Sequence, residues 1–176
     1  VIRIVGASRA KCIWFYSMQV LVMALLSPGE VAPDFSLTAT DGSVVKLSER
    51  RGSRVVLYFY PRDDTPGCTI EACSFRDNLS DLTSRGVQIF GVSDDSVASH
   101  EKFSEKYDLN FPLLADTEHG MLEDYGAWVE KKQYGRVFMG TQRITYLIGP
   151  DGKIEHVWPD VVPKDHVAEI LEVIDA

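Results

Sequence analysis

One run of residues limits the fold more than any other: "RVVLYFY" (54 to 60), bounded by Gly52 and Pro61. A half-exposed strand would alternate apolar and polar residues, so a continuous apolar and aromatic run of this length reads as a strand covered on both faces. It is expected in the middle of its sheet. A helix-forming stretch opens at Thr65-Pro66-Gly67 and continues to about Arg85, where Gly86 stops it, and "VQIFGVS" (87 to 93) is a second buried strand. Upstream, "DFSLTATDGSVVKLSE" gives two short strands about the turn residues Asp41-Gly42. Downstream come a polar helix (96 to 107), the segment "FPLLAD" (111 to 116) and a helix from about 117 to 125. A hairpin of "RITYLI" and "KIEHVW" about Pro150-Asp-Gly152 follows, and a last helix, "KDHVAEILEVI", comes after Pro163. Strands that alternate with helices and finish in a hairpin and a helix predict an α/β layered domain, with a mixed central sheet and flanking helices.

With 176 residues and 45% hydrophobic content, the chain can bury one full core. That domain is assigned to residues 27–176. Residues 1–26 are read as an N-terminal extension: Arg3, Arg9 and Lys11 precede an apolar stretch (13 to 26) too short to span a bilayer, and Ser17 and Gln19 interrupt it as a signal peptide core. Met18 and Met23 are candidate internal starts, and Cys12 is an incidental thiol. No other segment approaches transmembrane length, so no membrane partner is expected. A formal net charge of −8 opposes binding to phosphate backbones, which argues against a nucleic-acid partner.

Three cysteines are too few for a disulfide framework, and no paired CxxC motif supplies a zinc site. Redox or nucleophilic chemistry remains. Two of the three lie in "PRDDTPGCTIEAC" (61 to 73), directly after the buried strand. With Thr65 as N-cap, Pro66 takes the first helical position, where its missing N–H is no loss. Cys68 then sits in the first turn, where the positive end of the helix favours a thiolate relative to an unperturbed pKa of about 8.5. The Thr65 hydroxyl can cap a backbone N–H and still donate toward the sulfur or a substrate oxygen.

Ala72, Phe75, Leu79 and Leu82 form one apolar stripe, and Cys68 lies on it. Cys73 is ~140° away around the helix, with the two Cα atoms roughly 8.7 Å apart. A disulfide needs Cα atoms within about 7 Å. The two thiols can therefore bond only if the first turn unwinds. Taken alone, Cys68 reads as a small core residue. Its helix N-terminus, its second thiol and its place at the end of a central strand, where open α/β sheets bind ligands, point instead to a site that includes Pro61.

The segment "YPRDDTPGCTIEACSFRD" (60 to 77) resembles the active-site segment of the peroxiredoxins, with its PxxxTxxC signature. It is most similar to the PrxQ or bacterioferritin comigratory protein subfamily, in which a second cysteine follows five residues later. "DGSVVKLSE", "VVLYFYP", "FPLLAD" and "YGRVFMGTQRITYLIGPDGKI" extend the resemblance over about residues 27 to 175. It implies a thioredoxin-like fold and reduction of hydrogen peroxide and organic hydroperoxides. It implies Cys68 as the peroxidatic nucleophile, Cys73 as the resolving thiol, Pro61 as a shield, and Thr65 and Arg143 as the groups that activate the thiolate and align the peroxide. Arg143 by itself reads as a solvated charge. The resemblance further implies thioredoxin or a similar dithiol reductant, a monomer, a cytoplasmic location, and no metal or organic cofactor, since sulfur carries the electrons.

Two other readings stay open: a thioredoxin-like protein disulfide oxidoreductase, although its CxxC spacing is absent, and a non-enzymatic holdase on the same fold. His100, His119, His156 and His166 show no metal or Cys-His spacing and are read as surface residues, and Asp63-Asp64 and Asp94-Asp95 as solvated loop charges.

Overall fold

The computed structural model describes residues 25–176; Cys12, the basic residues before the apolar stretch, and Met18 and Met23 lie outside them. Strands β1 (Ser36–Ala39) and β2 (Val44–Lys46) form the expected hairpin, and β3 (Arg54–Phe59) is the apolar run. Next come α1 (Pro66–Asp77), α2 (Leu79–Ser84), β4 (Val87–Ser93) and α3 (Val97–Tyr107). The remainder is β5 (Leu113–Ala115), α4 (Gly120–Asp124), β6 (Trp128–Gln133), β7 (Arg136–Thr141), β8 (Ile144–Ile148), β9 (Ile154–Trp158) and α5 (His166–Asp175).

The main sheet has the order β2-β1-β5-β4-β3-β8-β9 and is mixed: β3 runs parallel to β4 and antiparallel to β8. β3 is interior, as expected, but the middle place belongs to β4. Alternate residues of β3 feed opposite faces. Val55, Leu57 and Phe59 pack with Leu122 and Tyr125, beside α4. Val56, Tyr58 and Tyr60 pack with Cys68, Ala72, Phe75, Leu82, Phe103 and Ile170, contributed by α1, α2, α3 and α5. Each large apolar side chain buried in this way contributes roughly 1.5–3 kcal/mol, which is why a sequence with no polar break here must be an interior strand.

Three expectations need correction. The helix from Thr65 is not continuous to Arg85. It breaks at Asn78, whose side-chain amide bonds the Ser74 carbonyl at 2.8 Å, a local competitor for helical hydrogen bonding. Leu79 is consequently only half-buried. The helix expected from 117 to 125 shrinks to α4, because Thr117 to His119 form a turn with His119 in the left-handed region. Finally, β6 and β7 form a separate two-stranded ribbon that the reading of the sequence left unassigned. Tyr134 and Gly135 both have positive φ, the geometry of a tight two-residue hairpin. Val137, Phe138 and Met139 on this ribbon are exposed, so no alternation marks it as a strand.

Candidate active site

Register builds the site. Phe59, the last residue of β3, pairs with Ile144, the first of the antiparallel β8. Arg143 therefore arrives beside the C-terminal end of β3, where the chain turns through residues 61–65 into α1. Pro66 occupies the start of α1 and Thr65 its N-cap, with φ −95° and ψ 152°, so Cys68 sits in the first turn. Its side chain is packed into the core, 2% exposed.

Arg143 Nη2 donates to Cys68 Sγ at 3.2 Å, and Nη1 donates to Glu71 Oε2. The guanidinium thus bridges two residues one helical turn apart on the inner face of α1. Gly67 gives it room: a Cβ there would stand 3.4 Å from Nη2. Burial works against the Arg143 charge, but Glu71 and Cys68 outweigh it and hold the guanidinium protonated above its ordinary range. Glu71 is fully buried, and its second oxygen, Oε1, has no hydrogen-bond partner among the described residues. Burial pushes its carboxyl up to about 7 against the pull of Arg143. Sequence reading passed over Glu71, although its place three residues after Cys68, inside the apolar stripe, was a usable sign that a cation must meet it.

Thr65 is the N-cap by conformation, but its hydroxyl does not cap. It donates to the Arg62 carbonyl at 3.1 Å, so its proton is directed into the loop rather than toward the sulfur. Pro61 is half-buried and lines an open cleft of about 870 Å³ together with Arg62, Lys131, Phe138, Met139 and Thr141. Lys131 Nζ donates to the Thr141 carbonyl at 2.5 Å, and burial and Arg143 lower its pKa. Cys73 is half-buried on α1, and both Cys68 and Cys73 are free thiols. The structure thus brings Cys68, Arg143 and Glu71 into contact, and sets Pro61 and Thr65 in the loop that leads into α1.

Two of the four histidines are not surface residues. His100 and His166 are fully buried, and His119 and His156 are half-buried, His119 stacked on Trp128 at 3.9 Å between ring centroids. His166 Nε2 meets Thr145 Oγ1 at 2.9 Å, and burial together with Arg143 pushes its pKa down to about 4, so the ring is neutral near pH 7. Asp63 is buried as well, and Asp95 receives its backbone N–H at 2.8 Å, so the acidic pairs are not simply solvated charges. Helix faces and loop docking, not residue spacing, decide these environments. No group of His, Cys, Asp and Glu suited to a metal ion occurs among the described residues, and no helix among them is long and apolar enough to cross a membrane.

Comparison with known proteins agrees with this geometry. Residues 28–157 match the AhpC/TSA family. The chain is 47% identical over 146 residues to peroxiredoxin Bcp of Bacillus subtilis, covering 83% of this chain and 93% of that protein. It is 46% identical over 143 residues to a putative peroxiredoxin of Coxiella burnetii, covering 81% and 95%. Among solved structures, peroxiredoxin Q of Xanthomonas campestris superposes with a TM-score of 0.79 at 34% identity, covering 86% of this chain and 96% of that one. A PrxQ variant of Xylella fastidiosa gives 0.82 at 30%, covering 86% and 97%. These are thioredoxin-fold peroxiredoxins, which sets the reaction class: a hydroperoxide is reduced at the expense of a thiol. The chain belongs to the AhpC/TSA family, within its Bcp and Q-type peroxiredoxins, and is a thiol-dependent peroxidase.

Proposed function

We propose that Cys68 is the peroxidatic nucleophile and Cys73 the resolving thiol of a cycle closed by thioredoxin or a similar dithiol protein. The observation that carries this reading is the 3.2 Å contact from Arg143 Nη2 to Cys68 Sγ at the start of α1. A guanidinium there stabilises negative charge on the sulfur, and it remains in place to stabilise the charge that moves onto the departing oxygen. The Cys68 thiolate attacks the terminal oxygen of the hydroperoxide. An S–O bond forms and the O–O bond breaks, leaving Cys68 as a sulfenic acid and releasing an alkoxide or hydroxide that takes up a proton. With its own proton given to the Arg62 carbonyl, the Thr65 oxygen offers lone pairs, so its role toward the peroxide is to accept the peroxide O–H. Pro61, which lines the cleft, acts as the shield that limits water at the sulfur.

The Cys73 thiolate then attacks the sulfenic sulfur, expelling hydroxide and forming the 68–73 disulfide, which requires α1 to unwind. The Asn78 break limits the melted segment to α1 and leaves α2 seated on the core by Leu82. A dithiol reductant returns both cysteines to thiols. We assign this cycle to a monomer acting in the cytoplasm, where dithiol reductants are maintained, with its catalytic domain at residues 27–176. The test is a mass measurement of the purified protein after one equivalent of peroxide. Loss of two hydrogen atoms with a linked 68–73 peptide is expected, and peroxide consumption disappears in Cys68→Ser. A Cys68→Ser protein that still consumes peroxide with a dithiol would refute the assignment.

A further inference from the structure

Residues 61–65 carry Pro61 and Thr65, yet what fixes them lies away from the sulfur, in a buried polar cluster that the reaction itself does not use. The Asp63 carboxylate accepts hydrogen bonds from Tyr60 Oη at 2.7 Å and Ser99 Oγ at 2.7 Å, and it faces His100 Nδ1 at 2.9 and 3.1 Å. The Asp63 backbone N–H donates to Asp95 Oδ2 at 2.8 Å, and that same oxygen accepts from Ser93 Oγ at 3.0 Å. On the far side of the ring, His100 Nε2 stands 3.2 Å from the Leu114 carbonyl on β5. His100 is 0% exposed and Asp63 9%.

The Leu114 carbonyl can only accept, so Nε2 carries a hydrogen. Tyr60 and Ser99 both aim their hydroxyl hydrogens at the Asp63 carboxylate, and Tyr60 Oη also stands 3.3 Å from His100 Nδ1. Nδ1 therefore faces the Asp63 carboxylate, and the two side chains meet as a buried pair. Burial raises the Asp63 pKa, but the bonds from His100, Ser99 and Tyr60 overcome it and hold the group below its ordinary range. A buried pair of this kind contributes little to net stability, but loss of either partner strands a charge, so its worth lies in fixing one geometry.

We propose that Asp63 and His100 are a positioning pair for the peroxidase reaction, an ionic latch that fastens the loop carrying Pro61 and Thr65 to α3 and, through His100, to β5. The pair acts on the oxidation of Cys68 and not on the disulfide step. Its hydrogen bonds outside the pair run to Tyr60, Asp95, Ser99 and Leu114, upstream of α1 or on other elements, so the latch stays shut while α1 unwinds. The inference rests on the assignment of Cys68 and Cys73 given above.

The test has two parts. In protein labelled with 15N-histidine and kept reduced near neutral pH, the His100 ring is expected to show two protonated nitrogens; a ring with one bare nitrogen overturns the latch. In stopped-flow measurements, Asp63→Asn and His100→Asn are each expected to slow Cys68 oxidation roughly tenfold, the scale of one charge-assisted hydrogen bond, and to leave disulfide formation within about twofold. The double variant should be no slower than the slower single variant. Ser99→Ala, a smaller lesion, should slow oxidation in the same direction if either of the others fails to fold. Asp64→Asn is the control: Asp64 sits in the same loop but is exposed, where it accepts from Lys106 and from Tyr107 Oη at 2.6 Å, and an amide there can still accept both, so oxidation should stay within about twofold of wild type. Equal slowing of both steps, additive losses in the double variant, or wild-type oxidation in Asp63→Asn would each overturn the proposal. A wild-type protein that consumes no peroxide would instead overturn the cysteine assignment, whatever the state of the His100 ring.

Discussion

Glu71→Gln isolates what a buried carboxylate does to this protein. In the folded chain burial raises the Glu71 carboxyl from 4.5 to about 7, even with Arg143 beside it. Between those two values the folded protein holds a proton that the unfolded chain has released, so stability falls as pH rises through that window and levels off above it. A shift of this size corresponds to about 3 kcal/mol, an order-of-magnitude figure. The amide of the variant cannot titrate, yet its oxygen can still accept from Arg143. Relative to wild type, the variant is therefore expected to gain about 3 kcal/mol between pH 4.5 and 8, or about 6 to 12 °C in melting temperature. Thermal melts of the reduced proteins across that range measure it, and taking wild type against variant cancels the other titrating groups. Oxidation of Cys68 should slow roughly tenfold in the same variant, because a neutral acceptor holds the guanidinium less firmly than a carboxylate. Parallel stability curves for the two proteins would refute the reasoning, since they would mean that Glu71 titrates alike in both states.

Three further changes probe other links. Arg143→Lys replaces a two-pronged donor with a single ammonium, which cannot hold Glu71 and the sulfur in the same geometry; peroxide-driven oxidation is expected to slow by about 100-fold, and an unchanged rate would exclude the bridging role. Cys73→Ser should give a normal first oxidation transient in tryptophan fluorescence and then stall until an external thiol is added, whereas unchanged multiple turnover with thioredoxin would exclude Cys73 as resolver. Gly91→Ala places a Cβ 2.6 Å from the Tyr58 ring and 2.7 Å from Leu113, so denaturant unfolding should show a loss of about 1–3 kcal/mol with Cys68 oxidation intact in the folded fraction; an unchanged midpoint would show that β4 has slack at this position.

What could be read from the sequence was whatever burial writes as a pattern. The "RVVLYFY" run, the β1–β2 turn and the Thr65-Pro66-Gly67 helix start all carry local signals, because a buried face, a positive φ or the first turn of a helix restricts residue type where it occurs. The β6–β7 ribbon shows the converse. It stands apart from the main sheet, with Val137, Phe138 and Met139 exposed, so no buried face imposes an alternation on it.

The polar residues failed for a different reason. "RDDT" has the composition of a solvated loop, and Asp63 and Asp64 cannot be told apart by type, yet one is buried against His100 and the other is exposed and paired with Lys106. The difference arises when residues 61–65 fold onto α3, a contact 37 residues away along the chain that no local window contains. Glu71 is the intermediate case. An acid on the same stripe as Cys68 and Phe75 announces a buried charge, but only the pairing of Phe59 with Ile144 names Arg143 as its partner. Electrostatic positioning at this site is thus set by strand register and loop docking, so Arg143 and Glu71 should lose function together when register shifts, even with every site residue unchanged.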